Sequence, residues 1–187
     1  MSNKYVVNGD GKMKKVVGLI GSLRKESINR VVFNEYRELS KAHFEMVEGE
    51  IKNIPLYNED LDSKCEPVSD LAQIINESDG VIFFSPEYNY SIPGVLKNAL
   101  DWLSRDPSKP FDNKIAAIIG ATPGGIGTAR MQYHLRQVGV FLNINFLNKP
   151  EVMIGGANDK IKGGCITDQA TKEFLMKHIK VFSETLK

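Results

Sequence analysis

Short apolar blocks alternate along the chain with longer stretches in which apolar residues recur at helical spacing. The blocks cover residues 15–20, 44–47, 80–84 and 115–119, and a fifth is expected somewhere within 144–154. Three of them are almost continuously apolar, as parallel strands covered on both faces are. Between them, Ile28, Val32, Tyr36 and Leu39 share one helical face. Leu71, Ile74 and Ile75 mark a second helix with Ser69 as its expected N-cap; Leu96, Leu100 and Leu103 mark a third. Met131, Leu135, Val138 and Leu142 mark a fourth, and a closing helix from about Asp168 carries Leu175, Ile179, Phe182 and Leu186. Strands alternating with helices imply right-handed crossovers and an α/β fold, a doubly wound parallel sheet with helices on both faces. Such sheets bind ligands at the carboxyl ends of their strands, so the loops leaving the strands carry the chemistry.

The chain has 187 residues, of which 42% are hydrophobic and 25% charged. One globular domain over residues 13–187 suits that size and composition. Residues 1–12 read as a flexible N-terminal extension, and Met13 stands where an alternative start would fall. With 24 basic and 23 acidic residues, the charge balance argues against nucleic acid as a partner. Residues 1–30 are locally basic and 31–80 acidic, from solvated helix faces or from steering of an anion toward the N-terminal region. Cys65 and Cys165 form no disulfide framework, which points to reduced thiols and a cytoplasmic setting. The apolar runs are too short for membrane insertion. His43, His134 and His178 are widely separated and suggest packing or surface roles, not a metal site.

Three loops stand out. After the first strand, residues 21–30 supply Ser22, Arg24, Ser27 and Asn29 ahead of a helix start, the donor set a phosphomonoester needs. The bland reading is helix capping by Ser27 or Asn29, with Arg24 in solvent. The run is neither a GxGxxG fingerprint nor a P-loop. After the third strand, residues 85–94 combine two prolines with Tyr88, Tyr90 and Ile92, surface that suits either a heteroaromatic ring or simple packing on the sheet. After the fourth, residues 120–128 place three glycines within four residues at a helix start, where backbone can approach a ligand closely. Together the loops match one mononucleotide lying across the switch point of a five-stranded sheet of order 2-1-3-4-5.

Residues 21–30, and residues 85–94 with Lys97, Asn98, Asp101 and Trp102 beyond them, resemble the NAD(P)H-dependent FMN reductase family, and within it the bacterial quinone and chromate reductase branch. The likeness extends over most of residues 14–187, including 132–136 and 148–151. It implies a flavodoxin-like fold, bound FMN, NADPH or NADH as co-substrate, and a homo-oligomer of two or four subunits. The implied reaction is ping-pong, two-electron (hydride) reduction of quinones and other small-molecule acceptors such as chromate, azo or nitro compounds. By the same resemblance Ser22, Arg24, Ser27 and Asn29 hold the FMN phosphate. Pro86, Glu87, Tyr88, Asn89, Tyr90 and Ser91 line the isoalloxazine, and Thr122, Gly124 and Gly125 meet its pyrimidine end. The flavin carries the hydride, so no catalytic side chain is assigned. The start of the fourth helix is expected to stabilise negative charge on the reduced ring. A flavodoxin-type electron carrier is the alternative; such carriers are commonly strongly acidic, whereas this chain has a net charge of +1. Tyr133 and Phe141, outside the stripe that faces the sheet, suggest a subunit contact.

Overall fold

The computed structural model describes residues 11–61 and 65–186; the expected extension over residues 1–12 therefore lies almost wholly outside them. The most apolar blocks form the centre of the sheet. β1 (Lys15–Ile20) pairs in parallel with β2 (Glu45–Gly49) on one side and β3 (Gly80–Phe84) on the other, with Val17 opposite Val47 and Val81. β4 (Ile115–Ala121) follows β3. The fifth lane is one strand in two pieces: β5 (Asn145–Phe146) pairs with the start of β4, and β6 (Val152–Ile154) with its end. Pro150, which has no N–H for a ladder, lies in the gap. The order β2-β1-β3-β4-β5 is the expected one.

Alternate residues of the buried strands feed two cores. Val17, Leu19, Val81 and Phe83 pack against α2 (Glu66–Asn76), α3 (Gly94–Leu103) and α4 (Ala129–Phe141). Val16, Ile20, Ile82 and Phe84 pack against α1 (Ile28–Ser40) and the closing helix, α6 (Gln169–Thr185). The closing helix starts after Asp168, which caps it by accepting from Thr171 N at 2.7 Å. Where α1 crosses α6, Tyr36 Oη and His178 Nδ1 lie 2.8 Å apart in a hydrogen bond, and burial pulls the His178 pKa down to about 4.

One expectation is corrected. Ser69 does not cap α2. The helix begins a turn earlier, with Cys65 at the N-cap position and Pro67 in its first turn, where a fixed φ and missing N–H cost nothing. After β6, α5 (Ala157–Lys160) leads into a small hairpin, β7 (Ile161–Lys162) and β8 (Cys165–Ile166). Its turn is Gly163–Gly164, both at positive φ, a two-glycine signal that hairpin turns favour. Cys165 on this hairpin is exposed, whereas Cys65 is half-buried.

Candidate functional site

The loop leaving β1 is bound closely to its neighbour. Gly21 N donates to Phe84 O at 2.8 Å, extending the β1–β3 pairing, and a Cβ at Gly21 would come within 2.6 Å of Ser85 Oγ. Ser22 is buried; its hydroxyl accepts from Arg24 N at 3.3 Å and lies 3.4 Å from Tyr88 Oη. Ser27 caps α1, its Oγ accepting from Arg30 N at 3.3 Å, while the Ile28 and Asn29 amides ahead of it have no partner among the described residues. Asn29 is committed across the crevice: Nδ2 donates to Ala121 O at 3.0 Å and Oδ1 accepts from Ala121 N at 2.9 Å. That reciprocal pair ties the first turn of α1 to the end of β4 and leaves one amide N–H for anything else. The Arg24 side chain is exposed, and its guanidinium has no partner among the described residues.

The loop after β3 closes on itself. Tyr88 N donates to Ser91 O at 3.1 Å and Ser91 N to Tyr88 O at 2.9 Å, with Asn89 (φ 50°) and Tyr90 (φ 66°) at the tip in left-handed conformation. A tyrosine there is strained by about 1–3 kcal/mol and persists only if its surroundings hold it. The surroundings are the first turns of α4. The Arg130 guanidinium carbon stands 3.9 Å from the Tyr90 ring centroid, and Ser91 Oγ lies 2.8 Å from His134 Nδ1. Glu87 accepts from Met131 N at 3.1 Å and from Arg130 Nη1 at 3.3 Å. Thr128 makes no side-chain cap, so Glu87 caps α4 from another loop. The positive end of α4 is therefore met at Met131 N by a carboxylate of the same chain. Arg130 and His134 were not singled out as site residues; their one signal is the four-residue spacing that puts them on one face of α4.

The glycine loop rests on the segment after β6. Thr122 N donates to Ile154 O at 3.0 Å, Ala157 N to Thr122 O at 3.1 Å, and Gly156 N to Gly124 O at 3.2 Å. At Gly120 a side chain is impossible without rearrangement, because a Cβ would run into Thr128 and come 2.8 Å from Ser85 O. Gly124 and Gly125 are the reverse case: exposed, with open space where a Cβ would stand. Buried Gln132 fixes the helix behind this loop, donating to Thr128 Oγ1 at 3.0 Å and to Val152 O at 2.8 Å.

These loops enclose a cleft of about 150 Å³. It joins Ser22, Arg24, Ser27 and Asn29 of the first loop to Pro86, Glu87 and Tyr88 of the second and Thr122 of the third. Asn89, Tyr90, Ser91, Gly124 and Gly125 stand outside its lining. The donor set fits a phosphate: two buried hydroxyls, free helix amides and an unpaired guanidinium. Tyr88, Pro86 and the open backbone at Gly124 and Gly125 offer flat, uncluttered surface for a ring. Among the described residues no cluster of three His, Cys, Asp or Glu is placed to hold a metal ion, and no helix is long and apolar enough to cross a membrane.

Sheet order defines a flavodoxin-like fold, and the cleft lies at its switch point. The profile described as NADPH-dependent FMN reductase matches residues 14–159, and the chain belongs to that family. It is 45% identical over 168 residues to an NAD(P)H-dependent FMN reductase of Pseudomonas aeruginosa, covering 88% of this chain and 91% of the relative. A quinone reductase of Escherichia coli K12 is 43% identical over 176 residues, with 91% and 94% covered. Among solved structures, FerB of Paracoccus denitrificans, a flavoenzyme NAD(P)H:(acceptor) oxidoreductase, superposes with a TM-score of 0.86 at 33% identity, covering 93% and 97% of the two chains.

Proposed function

We propose that this chain is an FMN-dependent NAD(P)H:quinone oxidoreductase working by a ping-pong, two-electron cycle in the cleft between the three loops. The observation that carries the reading is the unpaired Arg24 beside two buried serine hydroxyls and the start of α1, at the carboxyl end of β1. Ser22 and Ser27 hold the phosphate by hydrogen bonds and Arg24 by charge. Asn29 contributes its remaining N–H and the alignment of α1 against β4. Pro86 to Ser91 form the wall against the ring, while Thr122, Gly124 and Gly125 present backbone to its pyrimidine end. Bound FMN supplies the hydride chemistry. The protein orients the ring and leaves its other face open at the rim, where exposed Tyr88 and Tyr90 give flat surface to nicotinamide and acceptor in turn.

An open rim with few directional groups favours flat quinones and tolerates chromate, azo and nitro compounds. The exposure of Tyr133 (56%) and Phe141 (74%) on α4 supports a homo-oligomer, a dimer or tetramer, and the free thiols fit a cytoplasmic setting. Residues 13–187 form the working domain. The test is a spectrum and an assay of the purified protein. Bound flavin absorbance, with NADH or NADPH oxidation that depends on added quinone and on no protein partner, is the expected result. Flavin-bound protein that accepts electrons only from a partner reductase would instead make it a carrier.

A further inference from the structure

On the β2 side of the phosphate loop lies a second cavity, of about 310 Å³. It shares Ser22 and Arg24 with the flavin cleft, so the two spaces adjoin at the phosphate end. Its volume is at the lower edge of the range for small-molecule sites, about 300–1,000 Å³. The remaining walls are chemically mixed. Arg30 and Glu48 neutralise each other through a two-pronged pair at 2.9 and 2.8 Å. That leaves three cations, Arg24, Lys25 and Lys52, without a salt bridge among the described residues, and one carboxylate, Glu50, which acts on Arg30 only through its field. Leu23, exposed, and Ile51, buried, add apolar surface.

A simple anion has no use for Glu50, and a metal ion would be repelled by three cations. A nucleoside phosphate uses all of it. Lysine and arginine meet the phosphate, a carboxylate accepts from two vicinal ribose hydroxyls, and the apolar side chains meet a purine. An acidic residue at the end of the second strand, beside the β1–α1 loop, is where dinucleotide-binding sheets hold the adenosine ribose. Ser22 and Arg24 border both spaces, so a ligand extended from a phosphate in the first reaches the second.

We infer that this cavity receives the adenosine monophosphate half of FAD, so that the protein accepts the dinucleotide as well as FMN. The inference rests on the phosphate-loop reading above. Lys25 and Lys52 pair with the second phosphate and Glu50 with the ribose.

Full-length protein freed of flavin, titrated separately with FMN and FAD by flavin fluorescence, decides the matter. FAD is expected to bind within about tenfold of FMN. Lys52→Glu should weaken FAD by about tenfold or more, the effect of reversing a charged contact, with FMN changed less than twofold. Glu50→Gln should also weaken FAD selectively. Both side chains are exposed, and unchanged circular dichroism shows that the variants fold. FMN binding without FAD binding overturns the inference and leaves the phosphate loop intact. Equal weakening of both flavins by Lys52→Glu also overturns it, since the charge then acts at long range. Binding of 5′-AMP to FMN-loaded protein, without FAD binding to the flavin-free form, would assign the cavity to a separate nucleotide and reject FAD. Failure of both flavins to bind removes the phosphate-loop reading itself.

Discussion

Replacing Asn29 by alanine isolates the contact that holds the crevice together. The side chain is 2% exposed and spends its oxygen and one N–H on Ala121, itself 1% exposed. Truncation leaves the Ala121 N–H and C=O both without that partner at the end of β4. A buried polar group left unpaired costs about 1–3 kcal/mol, so the pair amounts to about 3 kcal/mol. That is a large share of the about 5–15 kcal/mol that stabilises a domain. With a urea slope of about 2 kcal/mol/M, the midpoint of flavin-free protein should fall by about 1.5 M. Equilibrium urea unfolding followed by Trp102 fluorescence reads this directly. Asn29→Asp keeps the acceptor for Ala121 N but sets a carboxylate oxygen against Ala121 O, so it should also lose stability and bind FMN worse, because a carboxylate then faces the phosphate. A loss below about 0.5 kcal/mol in Asn29→Ala, together with a large fall in FMN affinity, would refute the clamp and make Asn29 chiefly a ligand contact.

Arg24→Ala should raise the Kd for FMN about tenfold to a hundredfold, the worth of a charge-assisted contact, with urea stability of the flavin-free protein unchanged; equal affinities in a flavin titration would sink the phosphate assignment. Gly120→Ala should destabilise by about 1–3 kcal/mol or more and loosen flavin binding, since the new methyl meets Thr128 and Ser85; a thermal midpoint equal to wild type would show that β3 and β4 do not approach so closely. His178 is neutral in the folded state down to about pH 4, whereas an unfolded histidine takes its proton near 6.5. Stability should therefore drop by up to about 3 kcal/mol as pH falls from 6.5 to 4, and His178→Gln, which keeps an acceptor for Tyr36, should flatten that limb of the pH–stability curve.

Much of the frame was legible along the chain because burial imposes a period. β1 and β3 begin and end where their apolar blocks do, and the stripes of α1, α3, α4 and α6 face the sheet. Boundaries failed where a local rule competed. Ser69 has the right chemistry for a cap, but Pro67 starts α2 earlier; the two-residue strands β7 and β8 are too short to show any period.

The alternation of strand and helix, the doubly wound sheet that follows from it, and the loops whose donors suit a phosphate and a ring can all be read along the chain. Those are properties of neighbours in the chain: side-chain period, capping chemistry and the missing Cβ of glycine. Which donors remain available is settled by packing across the sheet. Asn29 and Ser27 have the same phosphate-binding look as Ser22 and Arg24, yet one clamps Ala121 across 92 positions and the other caps α1, while Arg24 stays unpaired among the described residues. Glu87 meets the positive end of α4 from 44 residues away, and Arg130 and His134 hold the strained Tyr88–Ser91 turn. Hydrogen bonds saturate their partners, and which partner wins depends on distances set by the packed sheet, a quantity that no local pattern contains.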